Sequence, residues 1–322
     1  MSEFDLIRQH FTRQTNHTLL GIGDDAALIS VGSGMEIAIS TDMLVSGTHF
    51  FADTLPYDLG WKSLAVNLSD MAAMGANPKW VTLAIALPQA DENWLKQFSS
   101  GFFACAEEFN IDLIGGDTTR GPLTISIQIM GEIPTSQAIQ RNGAKEGDDV
   151  WVSGALGKAA LALDHLLGNQ IIPENELEQH LYASHIPQPR ISLGLALRSI
   201  ASSCVDVSDG LLADLGHILN ASNVATCLQL SAIPTSDFIA QHLEDPKFLH
   251  YALAGGDDYE LCFTAHSNHQ ASLEQLGKTL NLPLTKIGKV IPKQDEATNK
   301  ILLYGKDNQI IQIGRTGFNH FN

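Results

Sequence analysis

Cationic side chains are scarce in this sequence. Its 322 residues hold 19 Lys and Arg against 36 Asp and Glu, a net charge of −17. A nucleic-acid or anionic-membrane partner would require clustered Lys and Arg, so both are excluded. Cysteine is equally sparse: Cys105, Cys204, Cys227 and Cys262 lie far apart with no C-x-x-C pair. They read as reduced core residues of a cytoplasmic protein rather than a disulfide framework. The twelve histidines make no H-x-x-H or H-E-x-x-H spacing, which argues against zinc. No run of eighteen apolar residues exists to span a membrane. The opening "MSEFDLIRQHF" carries charges throughout and reads as an amphipathic helix, not a signal peptide. Two nucleotide-binding signatures are missing as well. There is no G-x-x-x-x-G-K-[ST] loop and no H-R-D with D-F-G, so the usual phosphate loop and the protein-kinase fold are both out.

What remains is an ordinary globular composition, 44% apolar and 17% charged, in a chain long enough for two domains. Alternation makes 36–44 a strand, 57–76 a long helix, 79–88 a strand and 91–110 a helix. Two further strands, "IDLIGGD" and "PLTISIQIMGEI", follow around the loop "TTRG". The polar, turn-rich stretch 134–149 marks a boundary, giving domains 1–137 and 138–322. The second half offers strand–turn–helix units at 150–168 and 203–222, a strand in "YELCFTA", a helix near 270–280 and strands around 284–291 and 300–313. Segments 171–185 and 291–299 are polar and read as loops. Both halves are α/β or α+β. A weak internal echo pairs "ISTDML" with "DVSDGL" and "GGDTT" with "GGDDY".

The chemistry concentrates in aspartates at the ends of apolar strands, flanked by Gly, Ser or Thr. They are Asp24 and Asp25 in "GIGDDAAL", Asp42 in "STD", Asp117 in "GGDTT", Asp206 and Asp209 in "DVSDG", and Asp257 and Asp258 in "GGDDY". One such residue is usually a cap or turn former. Five clusters in one chain point instead to a shared site in the crevice at strand ends. Oxygen-only ligands fit a hard cation, Mg²⁺ or Mn²⁺. Ser63, Asn67 and Asp70 share a face of the 57–76 helix, whose surroundings are apolar enough to bury it nearly all round. A carboxylate buried there must be paired or hold metal. Arg120 and Arg141 could each clamp a phosphate. "SGALGK" follows a strand and opens a helix, so it could seat an anion, though a plain strand–helix turn suits its spacing better. Residue types alone therefore give a Mg²⁺-dependent enzyme or binder for a polyphosphate.

In order, "GIGDDAAL", "ISTDMLVSGTHF", "AVNLSDMAAMGA", "LIGGDTTRGPL", "DVSDGLLADLGHI", "GGDDYELCF" and "GFNHF" resemble the thiamine-monophosphate kinase family, and the likeness covers the whole chain. That family shares a superfamily with aminoimidazole ribonucleotide synthetase and selenophosphate synthetase. The resemblance implies a two-domain aminoimidazole-ribonucleotide-synthetase-like fold and a homodimer formed through the N-terminal domain. It implies transfer of the γ-phosphoryl group of ATP to thiamine phosphate, with several Mg²⁺ ions. Carried over, Asp25, Ser40, Thr41, Asp42, Asp70, Asp117, Asp206 and Asp209 match metal ligands. Gly116, Asp117, Arg141 and Ser208 match ATP contacts, which raises Arg141 above Arg120. His49, Asp257 and Phe318 match contacts to thiamine phosphate. The family pattern has Glu where this chain has Asp257, a shorter side chain that reaches less far. The alternatives are a synthetase of the same superfamily, activating an amide or carbonyl oxygen, and a non-catalytic nucleotide or metal-binding module.

Overall fold

A computed structural model describes residues 3–293, 300–312, 314 and 317–318. The chain divides into two compact units, one of residues 1–71 and 76–138, the other of residues 72–75 and 139–322.

The first unit opens with the short helix α1 (Glu3–Leu6), continued by a π turn over Ile7–Phe11. A small antiparallel pair follows, β1 (Thr18–Leu20) with β2 (Leu28–Ile29). Then come β3 (Met35–Val45), α2 (Pro56–Ala73), β4 (Asn77–Leu87), α3 (Glu92–Glu108), β5 (Asp112–Arg120) and β6 (Thr124–Pro134). The strands form one sheet in the order β3-β6-β4-β5, so β3 and β5 are its two edges. Only β4 and β5 run parallel. Ile125, Ile127 and Ile129 of β6 are buried on one face, and α2 lies against that face. Every residue of α2 from Leu59 to Ser69 is buried, which fits its apolar sequence all round. α3 starts cleanly because the Asp91 side chain accepts the Trp94 N–H at 3.0 Å. The two helices touch backbone to backbone. A Cβ on Gly101 would stand 1.9 Å from the Tyr57 carbonyl oxygen, and one on Gly60 2.1 Å from that of Phe98.

The second unit contains β7 (Asp149–Ser153), α4 (Lys158–Leu166), α5 (Glu174–His185), α6 (Ile191–Leu197), β8 (Ala201–Asp206), α7 (Leu211–Ser222), β9 (Ala225–Gln229), α8 (Asp237–Ala240), α9 (Pro246–Ala254), β10 (Leu261–Ala265), α10 (Gln270–Leu280), β11 (Leu284–Ile291) and β12 (Ile301–Tyr304). Its six-stranded sheet runs β12-β9-β11-β7-β10-β8, antiparallel except between β12 and β9. The inner strands β7 and β10 are buried along their whole length. Val150, Val152, Leu215, Leu219 and Ile287 belong to one core.

The mixed α/β class read from the sequence holds, but β1, β2, α6, β9 and α9 were not read from it, the strand expected around 300–313 spans only Ile301–Tyr304, and three further readings change. The polar segment 171–185 is largely helix, not loop. Leu177 and Leu181 sit on the same helical face as His180, which is fully buried, so a histidine stands where an apolar residue completes the usual stripe. Asp42 and Asp117 are mid-strand rather than at strand ends, because β-branched or apolar residues carry β3 on through Val45 and β5 through Thr119. The internal echo matches no repeated local structure: "GGDTT" lies within β5, "GGDDY" in the coil before β10. Of the segment 291–299, residues 294–299 lie outside the described residues, as do residue 313 and residues 319–321 of "GFNHF".

Candidate active site

In the first unit, strand alternation sorts β3 into two rows. Ser40 and Asp42 face α2, while Ile37, Ile39, Thr41 and Met43 face the other way and are exposed. Ser40 Oγ donates to Asp70 Oδ2. The Asp42 N–H donates to Asn67 Oδ1 at 3.1 Å, and Asn67 Nδ2 donates to the Ser63 carbonyl at 3.0 Å. The i, i+4, i+7 face of α2 thus meets alternate residues of β3, and Ser40, Asp42, Asn67 and Asp70 form one cluster. Burial, and then the neighbouring Asp70 carboxylate, push the Asp42 carboxyl up to about 6.

Thr41 points away from this cluster, so its side chain is not part of it. Asp117 does not join it within one copy either. Asp42 pairs with Ile127, Ile127 with Leu83, and Leu83 with Gly116, which places Asp42 and Gly116–Asp117 at the same height on opposite edges. Three strand spacings separate them, about 14 Å. Gly116 is dictated by packing: its φ is +147°, and a Cβ would stand 1.8 Å from the Leu83 carbonyl oxygen. Asp24 and Asp25 are exposed in the turn between β1 and β2, where Asp24 Oδ1 accepts the Asp25 N–H at 2.8 Å. Asp24 therefore shapes the turn and leaves Asp25 as its outward carboxylate. His49 closes the turn after β3, its Nδ1 accepting the Val45 N–H at 3.0 Å. The neutral ring then carries its proton on Nε2.

The second unit gathers a second acidic set. Asp206 ends β8 and is buried. The chain then turns so that the N–H groups of Ser208, Asp209 and Gly210 all donate to Asp214 Oδ2, at 3.0, 3.0 and 3.1 Å. Burial pushes the Asp214 carboxyl up to about 6 despite these bonds. The Asp257 N–H donates to the Ser208 carbonyl at 2.8 Å, and the Phe318 N–H to the Asp209 carbonyl at 3.1 Å. Residues separated by more than a hundred positions therefore meet at one turn: Asp206, Ser208, Asp209, Asp257 and Phe318. Asp257 has φ +67°, a conformation Asp accepts more readily than Glu, and the Tyr259 hydroxyl donates to its Oδ1 at 3.0 Å.

The backbone of Arg141 lies away from this turn. Its carbonyl accepts from Ser222 Oγ at 3.0 Å, at the far end of α7. Eleven residues of helix separate Ser222 from Leu211, roughly 16 Å along the axis. The start of α4 is occupied by the chain itself: Asp258 takes the Gly157 N–H at 2.8 and 3.0 Å from its two oxygens. "SGALGK" is thus a strand–turn–helix whose Gly157 N–H is taken by an internal carboxyl group, one that burial pushes well above the ordinary carboxylate range.

The chain resembles known proteins along its whole length. Residues 23–133 match the family model of AIR synthase related protein, N-terminal domain. A thiamine-monophosphate kinase of Salmonella typhimurium is 44% identical over 323 residues, 99% of this chain and 98% of that protein. The chain belongs to the thiamine-monophosphate kinase family. The crystal structure of thiamine-monophosphate kinase from Stenotrophomonas maltophilia K279a superposes with a TM-score of 0.84 at 46% identity, covering 93% of this chain and 94% of that one. AaThiL complexed with AMPPCP and TMP superposes at 0.78 with 28% identity, over 99% of this chain and 96% of that one. Among the residues this fold arranges around the turn, Asp214 escaped the sequence reading. An acidic residue in the first turn of a helix that follows Gly is a recognisable sign, yet it reads first as a dipole partner. Arg190, which grips Glu260 through Nε at 2.8 Å and Nη2 at 2.5 Å, gave no motif at all.

Proposed function

We propose that this protein transfers the γ-phosphoryl group of ATP directly to thiamine phosphate, yielding ADP and thiamine diphosphate. The observation that carries this reading is the full-length likeness to AaThiL, seen with AMPPCP, an ATP analogue, and TMP together. Membership of the kinase family at 44% identity agrees with it.

Mg²⁺ suits the residues present. The donors around Asp42 and Asp70 are carboxylate, hydroxyl and amide oxygens, the set a hard cation takes. Burial and the Asp70 carboxylate push Asp42 up to about 6, and a divalent cation there would let both ionise. Among the described residues no three His, Cys, Asp or Glu side chains stand together as a cage. That agrees with Mg²⁺, which keeps waters and is held by one or two carboxylates plus substrate phosphates. Asp25, Asp42 and Asp70, with Ser40, would hold it in the first unit, Asp206 and Asp209 in the second; Asp117 and the Thr41 backbone complete the reading. Bound Mg²⁺ neutralises the two anionic substrates and orients their oxygens.

The chain's own groups do the rest. A phosphate monoester has its second pKa near 6, so the attacking oxygen is already ionised at neutral pH and needs no general base. The new bond joins that oxygen to the γ-phosphorus as the bond to the β,γ-bridging oxygen breaks, and the electron pair leaves with ADP. Ser208 and Gly116 line the nucleotide, and Arg141 binds it at a distance from the transfer. His49 offers its Nε2–H, and Asp257 and Phe318 hold the thiamine moiety. No phosphoenzyme forms. The enzyme works in the cytoplasm as a homodimer: exposed Ile37, Ile39 and Met43 on the edge strand β3 supply an apolar face for a second copy. Among the described residues no helix is long and apolar enough to cross a membrane.

The test is product identification. Purified protein with ATP, Mg²⁺ and thiamine phosphate should give ADP and thiamine diphosphate in equal amounts. Inorganic phosphate released in place of thiamine diphosphate would overturn the reading in favour of synthetase-like chemistry.

A further inference from the structure

We propose that Asp214 is a positioning residue that makes the 208–210 turn a cation-facing rather than an anion-facing surface. Three consecutive backbone N–H groups that converge on one point form a concavity that takes an anion such as phosphate. The convergence here is on Asp214 Oδ2, within 3.0–3.1 Å of all three nitrogens. Asp214 is itself buried, so the concavity is filled from inside. The same turn carries Asp206, Ser208 and Asp209, whose oxygens would meet a cation in place of an anion. Asp258 does the same at the other helix that follows a strand and a glycine turn, taking the Gly157 N–H at the start of α4. At these two turns the chain supplies its own carboxyl group to backbone amides that could otherwise take phosphate. Phosphate groups are thereby left to approach through divalent cations. The inference rests on reading Asp206 and Asp209 as metal-holding residues. It goes further in assigning the choice between direct and metal-mediated binding to one residue outside that set.

A plain structural cap would stabilise the turn without changing what it binds, and the experiment separates the two roles. Asp214→Ala removes both the charge and the atoms that fill the concavity, and so frees the three N–H groups. The full-length protein and this variant are titrated with inorganic phosphate by calorimetry, with chelator present and no divalent metal. The wild type should show no binding at the turn, and the variant should bind phosphate at least tenfold more tightly than the wild type. The Mg²⁺ concentration for half-maximal turnover should rise at least fivefold in the variant, with KM for thiamine phosphate within twofold. A folded variant unchanged in both measurements overturns the proposal. Should the variant not fold, amide NMR of the wild type decides: Ser208, Asp209 and Gly210 signals that stay put on metal-free phosphate addition support it, and signals that shift overturn it. The phosphate titration needs no turnover, so an inactive wild type would sink the kinase reading without touching this result.

Discussion

At the scale of single residues, charge placement decides more than charge count. Asp42 sits beside Asp70 on a half-buried face with its amide anchored to Asn67. Asp42→Asn keeps the shape and relieves the repulsion, so the fold should survive while kcat/KM falls about 10²–10³-fold, the range for losing a main electrostatic stabiliser. Retained turnover in a folded variant would remove Asp42 from the site. Glu132 is the contrasting case, a carboxylate with its cation built in. The Lys79 ammonium at 2.5 Å, helped by the Gly32 N–H at 3.0 Å, holds it below the ordinary carboxylate range against the opposing effect of burial. Its folded pKa is the lower one, so its contribution is complete above the unfolded value near 4.5 and is lost as pH falls through the folded value. Glu132→Gln should cost about 1–2 kcal/mol at pH 7 in denaturant titrations, with the gap closing as pH falls below the ordinary 4.5 and through the lowered folded value. A gap independent of pH would mean that the pair does not contribute through charge. The clustered aspartates were legible in the sequence because Gly, Ser and Thr flank them. Asp214 and Arg190 were not, because their partners are backbone amides in a turn and a glutamate seventy residues away.

At the scale of elements, periodicity found what was apolar and missed what was polar but buried. The helix α2 was plain from composition, and its Ser63–Asn67–Asp70 face from spacing alone. α5 was not, since its buried stripe is completed by a histidine. His180 donates from Nδ1 to the Glu176 carbonyl at 2.7 Å and accepts at Nε2 from Ser236 Oγ at 3.0 Å, which fixes the neutral ring. Burial holds its pKa below the ordinary 6.5. The unfolded chain therefore binds the proton more readily, and stability rises with pH through the window just below 6.5. Between pH 7 and 5 the second unit should lose stability with a slope of up to about 1.4 kcal/mol per pH unit from this residue. His180→Gln keeps a donor and an acceptor without titrating and should flatten that slope in thermal unfolding. An unchanged slope would assign the acid sensitivity elsewhere. What periodicity could not reach at all was register: nothing in "STD" or "GGD" tells that β3 and β5 occupy opposite edges of one sheet.

At the scale of the whole molecule, that register becomes an argument about assembly. Asp42 and Asp117 are both read as metal-holding, yet one copy keeps them about 14 Å apart across β6 and β4. No side-chain motion closes that gap. Among the described residues neither β3 nor β5 pairs with a further strand at its outer side, and β3 exposes Ile39 at 60% and Met43 at 55%, an edge that invites pairing unless it is covered. A second copy whose β5 edge met this β3 edge would cover that edge and set the two strands that carry these aspartates side by side. Ile39→Asp should then shift the protein from dimer to monomer in sedimentation and reduce turnover with it, the monomer remaining folded. The sharper test mixes two inactive single variants, Asp42→Asn and Asp117→Asn, after dissociation and reassociation. If each site draws one aspartate from each copy, a mixed dimer has one site carrying both changes and one carrying neither. Random reassociation makes about half the dimers mixed, so activity should return to about a quarter of the wild-type level, counting two independent sites per dimer. Mixed dimers that form and stay inactive would place both aspartates in separate roles within each copy. The 14 Å between them would then have to be spanned by the substrates instead.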